Sequence, residues 1–208
     1  MEITWLGHAS FRLRGKEGTV VCDPTPRKGS GKLTADVVTV SHQHPGHNQV
    51  GLVGGEPKVF STPGEYEVKG VHIFGVPTYH DSEKGKKRGK NTAYVIDIDE
   101  VVVGHLGDLG HVLTSEQAET FRAVDVLLVP VGGVVTIDSP QAVEVISLIE
   151  PRIVIPMHYR VPDEESTLDT VDKFLREMGV TDVEPQNKLT VTKSNLPEGP
   201  QVVVLEPR

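Results

Sequence analysis

The sequence predicts a mixed α/β (α+β) fold, with sheets packed on each other and helices outside. Three observations carry this. Up to about residue 98 the chain reads as short β-type runs divided by glycine and proline. Beyond that, apolar strands alternate with segments of helical spacing. Several of these strands end in histidine or aspartate, as expected where strand ends share one rim of a sheet. A length of 208 residues suits a single domain, 1–208, built of two similar halves at roughly 1–98 and 99–208.

In chain order, Ile3–Leu6, Ser10–Leu13 and Thr19–Cys22 are β-type runs separated by Gly7, Gly15 and Gly18. Val37–Ser41 is an apolar strand. Lys58–Ser61 and Val71–Val76 follow, parted by the turn signal Thr62-Pro63-Gly64. Residues 81–90, rich in lysine and glycine, read as an exposed loop. Thr92–Ile98 and Val101–Gly104 form a hairpin turning at Asp99-Glu100. Thr114 with Gln117 makes a capping box for a helix to about Ala123. Val126–Val131 is a fully apolar strand. Ser139-Pro140 opens a helix with Ala142, Ile146 and Ile149 on its inner face. Arg152–Pro156 is another buried strand. Leu168, Val171, Phe174, Leu175 and Met178 have helical spacing, closed by Gly179. Short strands near Leu189–Val191 and Val202–Leu205 end the chain.

Hydrophobic residues make up 37% and charged residues 24%, the balance of a globular protein. A formal charge of −8 and an aromatic content of 5% argue against a nucleic-acid or anionic-membrane binder. Cys22 is the only cysteine, so no intramolecular disulfide forms. No basic n-region precedes an apolar stretch, and no apolar run approaches a membrane span; a cytoplasmic location is expected. Oligomeric state is open, a homo-oligomer included.

Residues 41–48 read Ser41-His42-Gln43-His44-Pro45-Gly46-His47-Asn48. Packing does not call for three imidazoles in six positions. A divalent cation does, because neutral imidazole is a strong ligand for first-row transition metals. Three more strand ends carry donors: His80 with Asp81, His105 with Asp108, and His158 with Tyr159. Their joint occurrence suggests side chains converging on one rim. His105 reads as a neighbour of the ligands, His72 as structural or surface, and His111 as ambiguous.

The order His-x-His-x-x-His, a lone His, Gly104-His105-Leu106-Gly107-Asp108 and Pro156-Met157-His158-Tyr159 resembles the metallo-β-lactamase superfamily. More narrowly it is similar to the branch of L-ascorbate-6-phosphate lactonase and related small metal-dependent hydrolases. The opening Trp5-Leu6-Gly7-His8-Ala9-Ser10 and Cys22-Asp23-Pro24 fit the same branch. The resemblance implies an αββα sandwich with its metal site at one edge. It implies His42, His44 and His80 at a first metal, His47 and His158 at a second, and Asp108 bridging. Asp23 matches the aspartate that steadies the histidine loop. The family pattern has an aspartate where this chain has Gly46, so a firmly bound first ion and a weaker or absent second are expected. Asp81 is a conceivable substitute. Zinc is the expected metal, with manganese, nickel and iron as alternatives.

An ion on three histidines keeps an open position and gives a hydroxide nucleophile near neutral pH. The expected reaction is hydrolysis of a small ester, lactone, amide or phosphodiester. Asp108 would orient the nucleophile, with His8 and Tyr159 as substrate contacts. The run Lys84-Gly85-Lys86-Lys87-Arg88-Gly89-Lys90 would overhang the site and favour an anionic substrate, or be a solvated loop. Two other readings compete: a phosphodiesterase or nuclease, and a non-catalytic metal-binding remnant suggested by Gly46. Redox chemistry is disfavoured by the lost carboxylate.

Overall fold

The computed structural model describes residues 1–26, 33–162 and 165–208. The strands in order are β1 (Glu2–Gly7), β2 (Ser10–Arg14), β3 (Thr19–Cys22), β4 (Leu33–Thr34), β5 (Val37–Thr39), β6 (Val53–Gly54) and β7 (Lys58–Phe60). Then come β8 (Gly64–Val68), β9 (Val71–Tyr79), β10 (Lys90–Ile98) and β11 (Val101–His105). Helix α1 (Ser115–Thr120), β12 (Val126–Pro130), α2 (Ser139–Ile149), β13 (Ile153–Met157), α3 (Val171–Glu177), β14 (Leu189–Thr190) and β15 (Gln201–Val202) complete the strands and α-helices, with single 3-10 turns at Val50–Leu52 and Lys193–Asn195.

Two sheets form the body. One has six strands in the order β14-β1-β2-β3-β5-β7, the other seven in the order β15-β13-β12-β11-β10-β9-β8. Their facing residues share one core. Trp5, Phe11 and Leu13 from the first sheet meet Tyr94, Ile96 and Val103 from the second, all fully buried. Full burial of such side chains stabilises the fold by about 1.5–3 kcal/mol each. Every residue of β12 and β13 is buried, which accounts for their unbroken apolar character, and α2 lies over β12. The expected sandwich of mixed sheets is therefore present.

The helical layer is one-sided among the described residues. Helices α1 and α3 flank α2, whereas the outer face of the six-stranded sheet is covered by residues 33–54. There Val21, Ala35, Val38, Val40 and Val53 form a separate small cluster around the β4–β6 pair.

Local expectations and structure differ in instructive places. The Thr114 capping box forms, but α1 stops at Thr120, because the chain turns to bury Phe121 in the core. The last helix begins at Val171 rather than Leu168, since Asp169 spends its N–H on the Gly132 carbonyl and its carbonyl on the Arg160 N–H. Sequence reading missed β8, although Glu65 and Glu67 alternate with Tyr66 and Val68 as an edge strand should. The hairpin at Asp99-Glu100 forms as expected, with both turn residues at positive φ (53° and 64°), matching the strand twist.

Strand direction builds the site. Strands β1, β3, β5 and β7 run the same way, because β2 is antiparallel to both β1 and β3 while β3, β5 and β7 pair in parallel. In the second sheet β9, β11, β12 and β13 also share a direction, since β10 is antiparallel to β9 and β11. The histidine turn and the donors His8, Asp23, His80, Asp108 and His158 all follow the C-terminal ends of such strands. Hydrogen bonds tie the sheets together beneath this rim. The Tyr94 hydroxyl donates to the Val40 carbonyl (3.0 Å), and the Thr92 N–H donates to the Ser41 carbonyl (2.8 Å).

Candidate metal centre

Asp108 is the hub. Its Oδ2 lies 3.2 Å from His47 Nε2, 3.2 Å from His80 Nε2 and 3.6 Å from His42 Nε2, and its Oδ1 lies 3.4 Å from His158 Nε2. Besides the set that Asp23 makes with His42 and His47, the donor atoms fall into two groups. His42, His44 and His80 form one; His8, His47, Asp108 and His158 form the other, with the donors of each group within 4.8 Å of one another. Apart from His8 and the half-exposed rim residue His44, these side chains are buried.

The residues fit a metal. His80 Nδ1, Asp108 Oδ1 and both ring nitrogens of His158 are buried with no hydrogen-bond partner, a costly arrangement for a site that holds nothing. Electrostatics agree. Burial, with the neighbouring His158 and His47, pushes His8 down to about 3; burial and His47 do the same to His42. Both are thus neutral, as ligands must be. His47 is the exception. Burial opposes its charge, yet Asp108 and Asp23 on either side raise it to about 10, marking a place where positive charge is stabilised. Burial likewise opposes ionisation of Asp108, but His158 and His47 outweigh it and hold the carboxyl well below its usual range.

Beneath the histidines, Asp23 is fully buried and spends its carboxylate on them. It accepts from Ser41 N–H (2.7 Å), Ser41 Oγ–H (2.5 Å) and His47 Nδ1–H (2.8 Å). Because the Ser41 hydroxyl donates to Asp23, its oxygen is left to accept from His42 Nδ1–H (2.9 Å). One carboxylate thereby turns Nε2 of both His42 and His47 toward Asp108. Asp23 (φ 43°), His8 (φ 54°) and His158 (φ 53°) all sit in left-handed backbone, which aims their side chains inward at some conformational cost.

A family model for the β-lactamase superfamily domain matches residues 2–158. The chain belongs to the metallo-β-lactamase superfamily. It is 31% identical over 219 residues to the UPF0173 metal-dependent hydrolase MK1542 of Methanopyrus kandleri, covering 88% of this chain and 95% of that one. A UPF0173 metal-dependent hydrolase of Methanoculleus marisnigri is 32% identical over 184 residues, 76% of this chain and 81% of that one. A crystal structure from Thermotoga maritima, described as a candidate zinc-dependent hydrolase of the metallo-β-lactamase superfamily, superposes with a TM-score of 0.84. It is 42% identical and covers 100% of this chain and 99% of that one.

Set within that superfamily fold, several sequence expectations change. His8, which the sequence offers as a substrate contact, has its ring among the ligand donors, 4.1 Å from the His158 ring and 4.8 Å from the His47 ring. Tyr159 was given the same role. Its ring packs on Trp5 at 5.0 Å and lines a separate cavity of about 720 Å³ with residues such as Val161, Val171 and Leu205, none of them a donor at the histidine cluster. Asp81 does not replace the missing carboxylate. Its two oxygens accept the backbone N–H groups of Glu83, Gly85, Lys87 and Arg88 (2.7–3.0 Å), and so shape the basic loop. His105 is buried and lies outside both donor groups, with Nε2 donating to the Ala9 carbonyl (2.8 Å). His111 binds the Tyr79 N–H and Val112 carbonyl, a structural role.

Sequence reasoning missed Ser41 and Asn91. Buried Asn91 accepts the Asp108 N–H (3.1 Å) and donates to the Leu106 carbonyl (2.9 Å), holding the loop that carries the hub. An amide next to the start of a mostly apolar strand is the available signal. Gly110 also matters: a Cβ there would stand 2.3 Å from the His80 carbonyl carbon and 2.3 Å from the Asp81 nitrogen. Gly110→Ala is therefore expected to displace His80, destabilise the fold by about 1–3 kcal/mol and weaken metal retention. Urea midpoints and metal content of the purified variant check this.

Proposed function

We propose that this chain hydrolyses a small anionic ester, lactone or phosphodiester, with zinc as the resident metal. The observation that carries the substrate class is a cleft of about 440 Å³ lined by His42, Gln43 and His44 on one side and by Arg88, Gly89 and Lys90 on the other. Cationic side chains lining the same cleft as a histidine cluster suit a substrate with a phosphate or carboxylate beside its scissile bond. Of the basic run, Arg88 and Lys90 line this cleft, while Lys87 pairs with Glu83. A lactone accords with the likeness to the ascorbate-6-phosphate lactonase branch.

His42, His44 and His80 would hold one ion, and His47, His158 and Asp108 would contribute to a second. Such an ion supplies Lewis acidity and lowers the pKa of its water, and an imidazole-rich donor set suits zinc. The chain does the rest. Asp23 and Ser41 keep His42 and His47 in the tautomer that leaves Nε2 free. Asp108 is ionised at neutral pH, and its carboxylate would orient the attacking water as a hydrogen-bond acceptor. Asp81 pins the basic loop through its backbone, which limits the rearrangement needed when Arg88 receives an anion.

The test compares phosphorylated and neutral esters and lactones on zinc-loaded protein. Arg88→Gln with Lys90→Gln is expected to lower kcat/KM for the anionic substrates about tenfold or more, in line with a lost charge-assisted hydrogen bond, and to leave neutral ones unchanged. Equal rates on both substrate classes before and after replacement would remove the anionic reading. Bound zinc without turnover of any ester, lactone or phosphodiester would favour a non-catalytic remnant.

A further inference from the structure

We infer that His8 takes the place of the missing motif carboxylate and completes the second metal position, making a centre of two nearly equivalent halves. Each half then has three imidazoles, with Asp108 shared between them. The inference deepens the proposed function and rests on it, since it concerns the same metal centre.

The argument starts at Gly46. Its φ lies outside the left-handed region, so its backbone accepts a side chain. A Cβ built there would meet one group within 4 Å, the far end of the His8 ring: Nε2 at 3.2 Å and Cδ2 at 3.3 Å. The imidazole thus fills the space into which a residue-46 side chain would point. With no side chain at residue 46 the His8 ring can take this space; a Cβ there would require the ring to give by a few tenths of an ångström.

Position 8 is built for the task. The His8 carbonyl accepts from the Trp5 indole N–H (2.9 Å) and from the His158 backbone N–H (3.1 Å), which clamps the β1–β2 turn against the loop of another ligand. The donor atom of His8 lies within 4.8 Å of those of His47, Asp108 and His158. Its left-handed backbone is one that histidine and asparagine tolerate better than most residues. These contacts explain why Trp5, Gly7 and His8 occur together at the end of β1.

The exchange has a chemical consequence. An imidazole brings no charge where a carboxylate brings one negative charge, so the occupied centre is more electropositive by one unit. That favours an anionic ligand, and the softer nitrogen donors favour zinc over manganese or magnesium.

The experiment measures zinc per chain by elemental analysis after loading and gel filtration, on protein without a histidine tag. Wild type, His8→Asn, His8→Gln, Gly46→Asp and the double variant His8→Asn/Gly46→Asp are compared, with thermal midpoints as the folding control. Asparagine keeps the left-handed turn and removes the ring; glutamine covers the case in which asparagine alone perturbs folding. Two zinc ions in wild type, one in each position-8 single variant and two again in the double variant support the inference. Position-8 variants that keep both ions, a wild type that holds only one, or a double variant that stays at one would overturn it while leaving a metal-dependent hydrolase in place. A wild type that binds no zinc overturns the proposed function itself.

Discussion

Asp108→Asn is expected to give the largest functional loss of any single replacement: zinc retention should collapse and hydrolysis should fall by on the order of 10²–10³-fold or more. The carboxylate stands within 3.6 Å of Nε2 on His42, His47, His80 and His158, so it touches members of both donor groups. An amide of the same shape removes the negative charge, and its N–H group cannot ligate a cation and would occupy the imidazole lone pairs that a cation needs. The loop geometry should survive, because Asn91 holds the backbone N–H of residue 108 rather than its side chain. Zinc content and turnover, measured with far-UV circular dichroism unchanged, check this. Full zinc occupancy in the variant would remove Asp108 from the centre.

Asp23→Ala is expected to have the largest effect on the fold, a loss of about 3–5 kcal/mol of unfolding free energy, read from denaturant midpoints. The carboxylate is fully buried and accepts hydrogen bonds from Ser41 N–H, Ser41 Oγ–H and His47 Nδ1–H. Alanine strands these donors and leaves a cavity. The milder Asp23→Asn should keep the volume and still lower zinc affinity about 10–100-fold, because its Nδ2 opposes groups that donate. A structural role alone predicts that stability falls while zinc affinity in the folded variant is unchanged. The arrangement here predicts that both fall, because Asp23 sets the tautomers of His42 and His47.

Most of the donors were legible in the primary structure because each strand end carries them within a short window. His42, His44 and His47 crowd one octet, and His80, Asp108 and His158 each follow an apolar run. Strand alternation and capping signals located most elements for the same reason, being local in origin. Legibility failed where a residue's partners were remote. His8 looked like a substrate contact because no nearby residue discloses what fills the space beside Gly46, 38 positions away. Asp81 looked free because the loop that consumes its oxygens could be arranged in many ways. Ser41 and Asn91 looked unremarkable because their hydrogen bonds reach residues 18 and 17 positions away.

Composition and motif order by themselves determined the superfamily, the mixed strand and helix content, and which residue types could serve a metal. The tertiary structure alone shows which donor atoms come together. Strand direction in both sheets sends His8, the histidine turn, His80, Asp108 and His158 to one rim, and left-handed backbone at His8 and His158 aims two of them inward. The His8 ring occupies the space beside Gly46, a contact that exists only in the folded chain. Ligand identity is a property of individual side chains, whereas ligand assignment is a property of distances, and those exist only once the two sheets have packed.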